Sequence, residues 1–163
     1  MPELPEVETI TNDLKKRLIG WVIKGVWSDW LRYFAASGGL DKVKRAMVGR
    51  RIISIERRGK NIIFNLSGGY ILAAHLKMTG RFIFGQSDET QHCHLVFDLQ
   101  KRSRKSKLYF SDVRKFGRII VGTSEEVMAR PEIKKLGPDP LETTVKEFLT
   151  RISARRGRIK TVL

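Results

Sequence analysis

A chain of 163 residues has the length of a single domain and can bury a proper hydrophobic core. Its one cysteine, Cys93, excludes an internal disulfide and a multi-cysteine zinc site, and no apolar run is long enough to form a membrane-spanning helix. The formal net charge of +15, from 32 Lys and Arg against 17 Asp and Glu, predicts a polyanionic partner, with nucleic acid as the first candidate and ribosome-type binding equally compatible.

The start of the chain, MPELPEVETI, is unusually acidic for so basic a protein. It places two prolines and three carboxylates, Glu3, Glu6 and Glu8, within the first eight residues. It lacks the basic start and apolar stretch of a signal peptide, so we expect a cytoplasmic or nucleoid-associated protein. Since termini usually fray, the plain interpretation is an irregular start ahead of a helix.

The first predicted element is that helix, over about residues 5–19. Pro5 suits its first turn, where the missing N–H has no partner to lose, and Gly20 supplies a stop. The apolar residues at helical spacing are Val7, Ile10, Leu14 and Leu18.

The next elements are a short helix from Leu40 to Val48, closed by Gly49, and then mostly strands. Ser67-Gly68-Gly69 is the clearest turn among them. The predicted strands lie in WVIKGVW (21–27), RIISIERRGKNIIFNLSGGYILAAHL (51–76, three strands), FIFG (82–85), HCHLVFDL (92–99), KLYF (107–110) and FGRIIVG (116–122).

The last predicted element is a helix that Thr143 or Thr144 caps. Its apolar residues are Val145, Phe148, Leu149 and Ile152. We therefore predict one domain over 1–163 of the α+β class: a β-sandwich-like body of about eight mostly antiparallel strands, with a long N-terminal helix and a C-terminal helix.

One charge run stands between two of the strands. KRSRKSK (101–107) has five positive charges and no acid. A solvated hairpin tip and a phosphate contact explain it equally well.

Pro2 has chemistry of its own if the initiator methionine is removed. A free secondary amine at a helix start is more often neutral, and therefore nucleophilic, than a lysine amine, and a nearby lysine would lower its pKa further. Attack on a sugar C1′ would give an iminium ion. Glu3 beside it could protonate a ring oxygen or shuttle protons.

Six motifs in one order, PELPEVETI, GKNIIF, HLKMTGRF, HCHLVFDL, SDVRKFGRI and LGPDPL, resemble formamidopyrimidine-DNA glycosylase. That family comprises bacterial base-excision enzymes for 8-oxoguanine and ring-opened purines. The resemblance spans essentially the whole chain. The related endonuclease VIII branch shares the Pro2-Glu3 start, but PELPEVET and GPDPL are closer to the formamidopyrimidine branch.

The resemblance implies catalytic roles for three residues. Pro2 matches the Schiff-base nucleophile, Glu3 the general acid, and Lys60 the hairpin lysine that binds phosphate near the lesion. Glu6 matches a lesion-proximal carboxylate, for which compensation of the helix N-terminal charge is an equal alternative.

The resemblance also implies a DNA-binding set. Met78, Arg114 and Phe116 match the trio that fills the hole left by an everted base; without the resemblance, Met78 and Phe116 would be interpreted as core residues. Phosphate or backbone contacts, with structural roles as the alternative, are expected of His75, Arg81, His92 and Lys115.

The sequence departs from the family pattern in three places. His92-Cys93-His94 replaces a His-Asp-His run and removes a carboxylate. Val113 replaces a proline, so we expect a less rigid loop before Arg114. The family continues into a helix-two-turns-helix segment and a four-cysteine zinc finger, and this sequence ends before both, so we expect a catalytic domain without zinc or another cofactor.

These observations predict a bifunctional DNA glycosylase and AP lyase, a monomer whose partner is double-stranded DNA with a damaged purine or abasic site. Two rivals stay open: a DNA-binding module without catalysis, and an RNA-binding protein with an accidental proline start. The intact Pro2, Glu3 and Lys60 argue against a decayed active site.

Overall fold

The computed structural model describes residues 2–85, 91–154 and 157. The helices are α1 (Leu4–Leu18), α2 (Leu40–Met47), α3 (Ser124–Met128), α4 (Pro131–Lys134) and α5 (Val145–Ser153), with a 3₁₀ helix at Leu31–Ser37. The strands are β1 (Val22–Ser28), β2 (Ile52–Arg58), β3 (Asn61–Leu66), β4 (Tyr70–His75), β5 (Arg81–Phe84), β6 (Cys93–Lys101), β7 (Arg104–Ser111) and β8 (Arg118–Thr123).

The strands form two antiparallel four-stranded sheets that share one apolar core. Sheet 1 has the order β1-β6-β7-β5, and sheet 2 has the order β2-β3-β4-β8. The core contains side chains of both sheets, such as Phe97 and Leu108 from sheet 1 and Phe64 and Leu72 from sheet 2. The predicted α+β sandwich with helices at both ends is thereby confirmed.

The two sheets differ in how their outer faces are covered. In β3 of sheet 2, consecutive residues such as Ile62 and Ile63 are all buried, because the helices α3 and α4 lie over the outer face with Val127 and Ile133. In sheet 1 burial alternates along β7, where Leu108 and Phe110 are buried and Tyr109 between them is partly exposed. Alternation is the signature of a sheet packed on one face only.

Three short elements were missed from the sequence: the 3₁₀ helix, α3 and α4. None is long enough to establish a hydrophobic period. Local signals were nevertheless present, since Thr123 and Glu126 form a capping box before α3 and Pro131 occupies the first turn of α4.

Some predicted boundaries were wrong. The run 101–107 is not mainly a hairpin tip: Lys101 ends β6 and β7 begins at Arg104, which leaves only Arg102 and Ser103 for the turn. Phe116 precedes β8 and does not start it. The C-terminal helix begins after Thr144, whose hydroxyl accepts a hydrogen bond from the N–H of Glu147, and no residue of α5 is buried.

One buried arginine ties the ends of the described chain to sheet 2. The Arg57 side chain is 4% exposed; its Nε lies 2.5 Å from Oε2 of Glu8 in α1, and its Nη2 lies 2.6 Å from Oδ2 of Asp139. The hydrogen bond from Arg57 holds the pKa of Asp139 below its usual range. We call these three side chains the Arg57 clamp; it fixes α1 and the segment 136–141 against the end of β2.

We predict that Arg57→Met destabilises the protein by about 2–3 kcal/mol. The change leaves two partly exposed carboxylates without their cation, so the loss is smaller than the ~3–5 kcal/mol expected for breaking a fully buried pair. Urea unfolding would measure the free energy.

Arg17→Met is the matched control. Arg17 forms an exposed pair with Asp13 at 3.3 Å and lies over the Phe84 ring at 5.4 Å, so its loss should cost no more than about 1 kcal/mol. Equal effects of the two substitutions would contradict a special role for the Arg57 clamp.

Candidate active site

The first residues of the chain form the cap of α1. Glu3 is the N-cap residue, and its backbone N–H donates to Oε2 of Glu6 at 2.9 Å in a capping box. Glu6 is therefore part of the helix cap. This agrees with the predicted role at the helix N-terminus; the other predicted role, a carboxylate near the lesion, stays a prediction. Pro2 lies directly before this cap, at the positive end of the helix dipole.

A lysine from sheet 2 lies beside this cap. Lys60 follows Gly59 in the turn between β2 and β3, and its Nζ donates to Oε2 of Glu3 at 2.5 Å. That hydrogen bond is the main cause of a lowered pKa for Glu3, and it favours the carboxylate form of the side chain. The structure thus brings Glu3 and Lys60 together next to Pro2, although 57 residues separate them in sequence.

His75 lies at the neighbouring end of sheet 2. It ends β4 and is paired with Asn61 of β3 and Arg118 of β8. Burial, followed by the charges of Lys77, Arg118 and Lys60, lowers the pKa of His75 to about 4. Its Nδ1 accepts a hydrogen bond from the backbone N–H of Lys77 at 3.0 Å, so the neutral ring carries its proton on Nε2 and can donate it.

The predicted trio is assembled from two loops. Met78 lies between β4 and β5, whereas Arg114 and Phe116 lie between β7 and β8. Nη1 of Arg114 is 3.1 Å from Sδ of Met78, and its Cζ is 4.9 Å from the ring centroid of Phe116. Met78 is 46% exposed and Phe116 55% exposed, so interpreting them as core residues is wrong.

A buried carboxylate that the sequence analysis missed supports these loops. Asp112 is fully buried, and its Oδ1 accepts from the Thr79 hydroxyl at 2.5 Å. Its Oδ2 accepts from the Gly117 N–H at 2.6 Å and from the Tyr33 hydroxyl at 3.3 Å. Burial and Asp112 together raise the pKa of Tyr33, which stays a neutral donor.

This Asp112 network fastens the loop that carries Arg114. Thr79 accepts the backbone N–H of Arg114 at 3.1 Å, so the two loops of the trio share one hydrogen-bonded support. The loop is held at Asp112 and Gly117, on both sides of Val113, and these bonds argue against the looser loop expected from the missing proline. No sequence signal links Asp112 to Thr79 or Tyr33, which are 33 and 79 residues away.

The other predicted contacts border the same loop. The backbone carbonyl of His92 accepts from the Asp112 N–H at 2.9 Å, and Arg81 is paired across the sheet with Ser111. Nζ of Lys115 lies 4.6 Å from the centroid of Trp30. His92 and Arg81 are exposed, and the structure places all three residues around the Arg114 loop.

His94 of the His92-Cys93-His94 run has a carboxylate partner at the end of another strand. Nδ1 of the buried His94 lies 2.9 Å from Oδ1 of Asp29, which follows β1. Within residues 2–85, 91–154 and 157, no three His, Cys, Asp or Glu side chains are grouped to hold a metal ion. No helix in this part of the chain is long and apolar enough to cross a membrane.

Comparison with known proteins identifies the same family throughout. The model of the formamidopyrimidine-DNA glycosylase N-terminal domain matches residues 1–119. The chain is 40% identical over 167 residues to formamidopyrimidine-DNA glycosylase of Pelotomaculum thermopropionicum and 40% identical over 169 residues to that of Desulforamulus reducens. All of this chain is aligned in both, but it spans only 59% of each relative's length.

Solved structures match as well. A complex of Lactococcus lactis Fpg with abasic-site DNA is 32% identical with a TM-score of 0.76, over 89% of this chain and 52% of that one. A complex of the L. lactis protein with DNA containing FAPY-dG is 33% identical with a TM-score of 0.75, over 85% of this chain and 51% of that one.

We predict that Lys60→Met raises the pKa of Glu3 toward its ordinary value, because the substitution removes the hydrogen bond and the charge that lower it. The carboxyl-carbon chemical shift of Glu3, followed by NMR from neutral to acidic pH, would measure the change. Lys77→Met is the control: Lys77 acts on His75 and is not among the groups that shift Glu3. An unchanged Glu3 titration in Lys60→Met would show that the contact is not made in solution.

Proposed function

This chain belongs to the formamidopyrimidine-DNA glycosylase family, and we propose that it acts in base-excision repair as a glycosylase and AP lyase on oxidised purines. The substrates would be 8-oxoguanine and formamidopyrimidines in double-stranded DNA, and abasic sites for the lyase step. The observation that carries the proposal is the contact of Glu3 with Lys60 beside Pro2. This contact places a carboxylate and an ammonium group next to Pro2, the residue that presents a secondary α-amine once Met1 is removed.

The proposed reaction begins with the chain from which Met1 has been removed. The neutral Pro2 nitrogen attacks C1′ of the damaged nucleoside, and the electrons of the glycosidic bond leave with the base, which takes up a proton. Opening of the sugar ring then gives an iminium ion between Pro2 and C1′. Loss of a C2′ proton expels the 3′-phosphate and cleaves the strand.

Glu3 would transfer protons in this reaction, and Lys60 would provide a positive charge. The hydrogen bond from Lys60 lowers the pKa of Glu3 and favours its carboxylate form, and a resting carboxylate can accept the proton that the attacking amine loses. Once protonated, it can donate to the sugar ring oxygen. We therefore propose that Glu3 is a proton shuttle, not an acid protonated from the start. Lys60 and the neutral donor His75 would contact phosphate oxygens near the lesion.

The trio would hold the duplex open. Enzymes that act on a base must take it out of the stack. Met78, Arg114 and Phe116 are exposed, and Arg114 contacts both of the others. The Asp112 network supports their two loops, as a group that enters the vacated space requires. The guanidinium can hydrogen-bond the orphaned base, and the aromatic ring can act as a wedge.

We propose further that the protein works as a monomer on bacterial DNA in the cytoplasm, at the nucleoid. The support is its bacterial relatives and its net charge of +15, which favours a polyanion.

We predict that borohydride traps a covalent adduct between the Met1-free protein and an abasic-site duplex. Pro2→Gly should weaken trapping strongly, because it replaces the secondary amine with a flexible primary one. Glu3→Gln should slow base excision on the order of 10²-fold, the lower end of what proton transfer contributes. Denaturing gel electrophoresis would quantify the adduct.

Equal trapping by Pro2→Gly would show that another amine reacts. DNA binding without any adduct, after mass spectrometry has established removal of Met1, would favour a DNA-binding module without catalysis.

For the trio we predict a substrate-dependent loss. Met78→Ala and Phe116→Ala should reduce processing of an 8-oxoguanine duplex about tenfold or more and of an abasic duplex by less than about threefold, because an abasic site requires no base eversion. Val113→Ala, at an exposed position of the same loop, is the matched control and should affect neither substrate. Equal losses on both substrates with a lowered melting temperature would indicate a packing role instead.

A further inference from the structure

The outer face of sheet 1 carries an aromatic stripe that the proposed reaction does not use. The register places Trp27 of β1 opposite Val96 of β6, Val96 opposite Tyr109 of β7 and Tyr109 opposite Ile83 of β5. Residues directly opposite each other in an antiparallel sheet lie on one face. These four residues, which we call the sheet 1 stripe, therefore cross the whole sheet in one row.

The burial pattern shows which face this is. The neighbours of Trp27 along β1, Val26 and Ser28, are buried, as are Leu108 and Phe110 on either side of Tyr109. The stripe therefore points away from the core. Trp27 is 53% exposed, a large exposure for a tryptophan in a strand.

Basic side chains border one side of the stripe, next to Tyr109. The row two residues further along contains Gly25, Asp98 and Lys107, and Nζ of Lys107 lies 3.1 Å from Oδ1 of Asp98. Lys24 and Lys105 are exposed and form no ion pair with the described part of the chain. A shallow hollow of about 490 Å³ beside Tyr109 is lined by Lys24, Asp98, Gln100, Lys105 and Lys107 among others.

We infer that the sheet 1 stripe is a second nucleic-acid site, which binds single-stranded DNA by stacking bases on Trp27 and Tyr109. One strand separates these two residues, so they lie about 10 Å apart at the usual strand spacing and can receive separate bases. Aromatic side chains on an open sheet face, bordered by cations, are the combination that binds single strands without sequence preference.

Charge complementarity favours a nucleic acid over a protein on this face. The hollow has three lysines and one acid, and the acid is already bonded to Lys107. Protein interfaces are depleted of lysine relative to other surfaces, whereas phosphate backbones require cations. The stripe is also distinct from the proposed catalytic site, since Lys60 belongs to sheet 2 and the outer face of sheet 1 points away from that sheet.

The test is fluorescence anisotropy of a labelled oligothymidylate of about 12 nucleotides, titrated with the full chain at low salt. Trp27→Ala should weaken binding about tenfold, within the range known for one base-stacking residue, and Trp27→Phe should restore it to within about threefold because the π-face is kept. Lys105→Gln should reduce the slope of log affinity against log salt by about 0.7.

Ile53→Ala is the matched control, because Ile53 is an equally exposed apolar residue on β2 of the other sheet; it should leave oligothymidylate binding unchanged. Binding of an abasic-site duplex should be the same for Trp27→Ala and the parent, which separates this proposal from the proposed function. The inference is overturned if the parent does not bind the oligothymidylate, if Trp27→Ala binds it as tightly as the parent, or if Ile53→Ala weakens binding equally.

Discussion

The geometry of the candidate site depends on a buried ion pair that lies outside it. The contact between Glu3 and Lys60 joins an exposed and a half-buried side chain, and pairs that water reaches contribute little to stability on their own. Its position must be set by something stronger. Arg57 precedes Lys60 by three residues and Glu8 follows Glu3 by five, so their buried contact aligns the start of α1 with the end of β2. Because Asp139 bonds the same guanidinium, the segment 136–141 is held in the same alignment.

The loops that carry the trio are likewise held by a buried side chain. Met78, Arg114 and Phe116 are exposed, so the packing of neighbouring side chains does little to hold them in place. Asp112 provides that support from within, as a buried carboxylate whose oxygens are satisfied by Tyr33, Thr79 and Gly117. Removing a partner from such a network would cost more than a surface bond, because it leaves a buried polar group unpaired. In both places a buried side chain, Arg57 or Asp112, holds the backbone that carries more exposed side chains of the candidate site.

The sequence predicted elements whose signals are local. The period of Val7, Leu14 and Leu18 defines α1, and the apolar runs define most strands to within a few residues. Short elements such as α4 were not predicted, because four residues are too few to show a helical period of apolar residues. The Asp112 network was not predicted for another reason. Its members are distant in sequence, and their residue types are common. Likewise the contact of Asp29 with His94, 65 residues away, is revealed only by the pairing of β1 with β6.

The three acids at the start of so basic a chain are explained by their partners. Glu3 bonds Lys60, Glu6 closes the helix cap, and Glu8 bonds Arg57. Elsewhere Asp112 and Asp139 are likewise engaged within the fold. A carboxylate that bonds within the fold presents less unpaired negative charge to an approaching polyanion than a free surface acid would. The acids at the start of this basic chain are therefore placed where the fold itself uses them, in the cap of α1 and against Lys60 and Arg57.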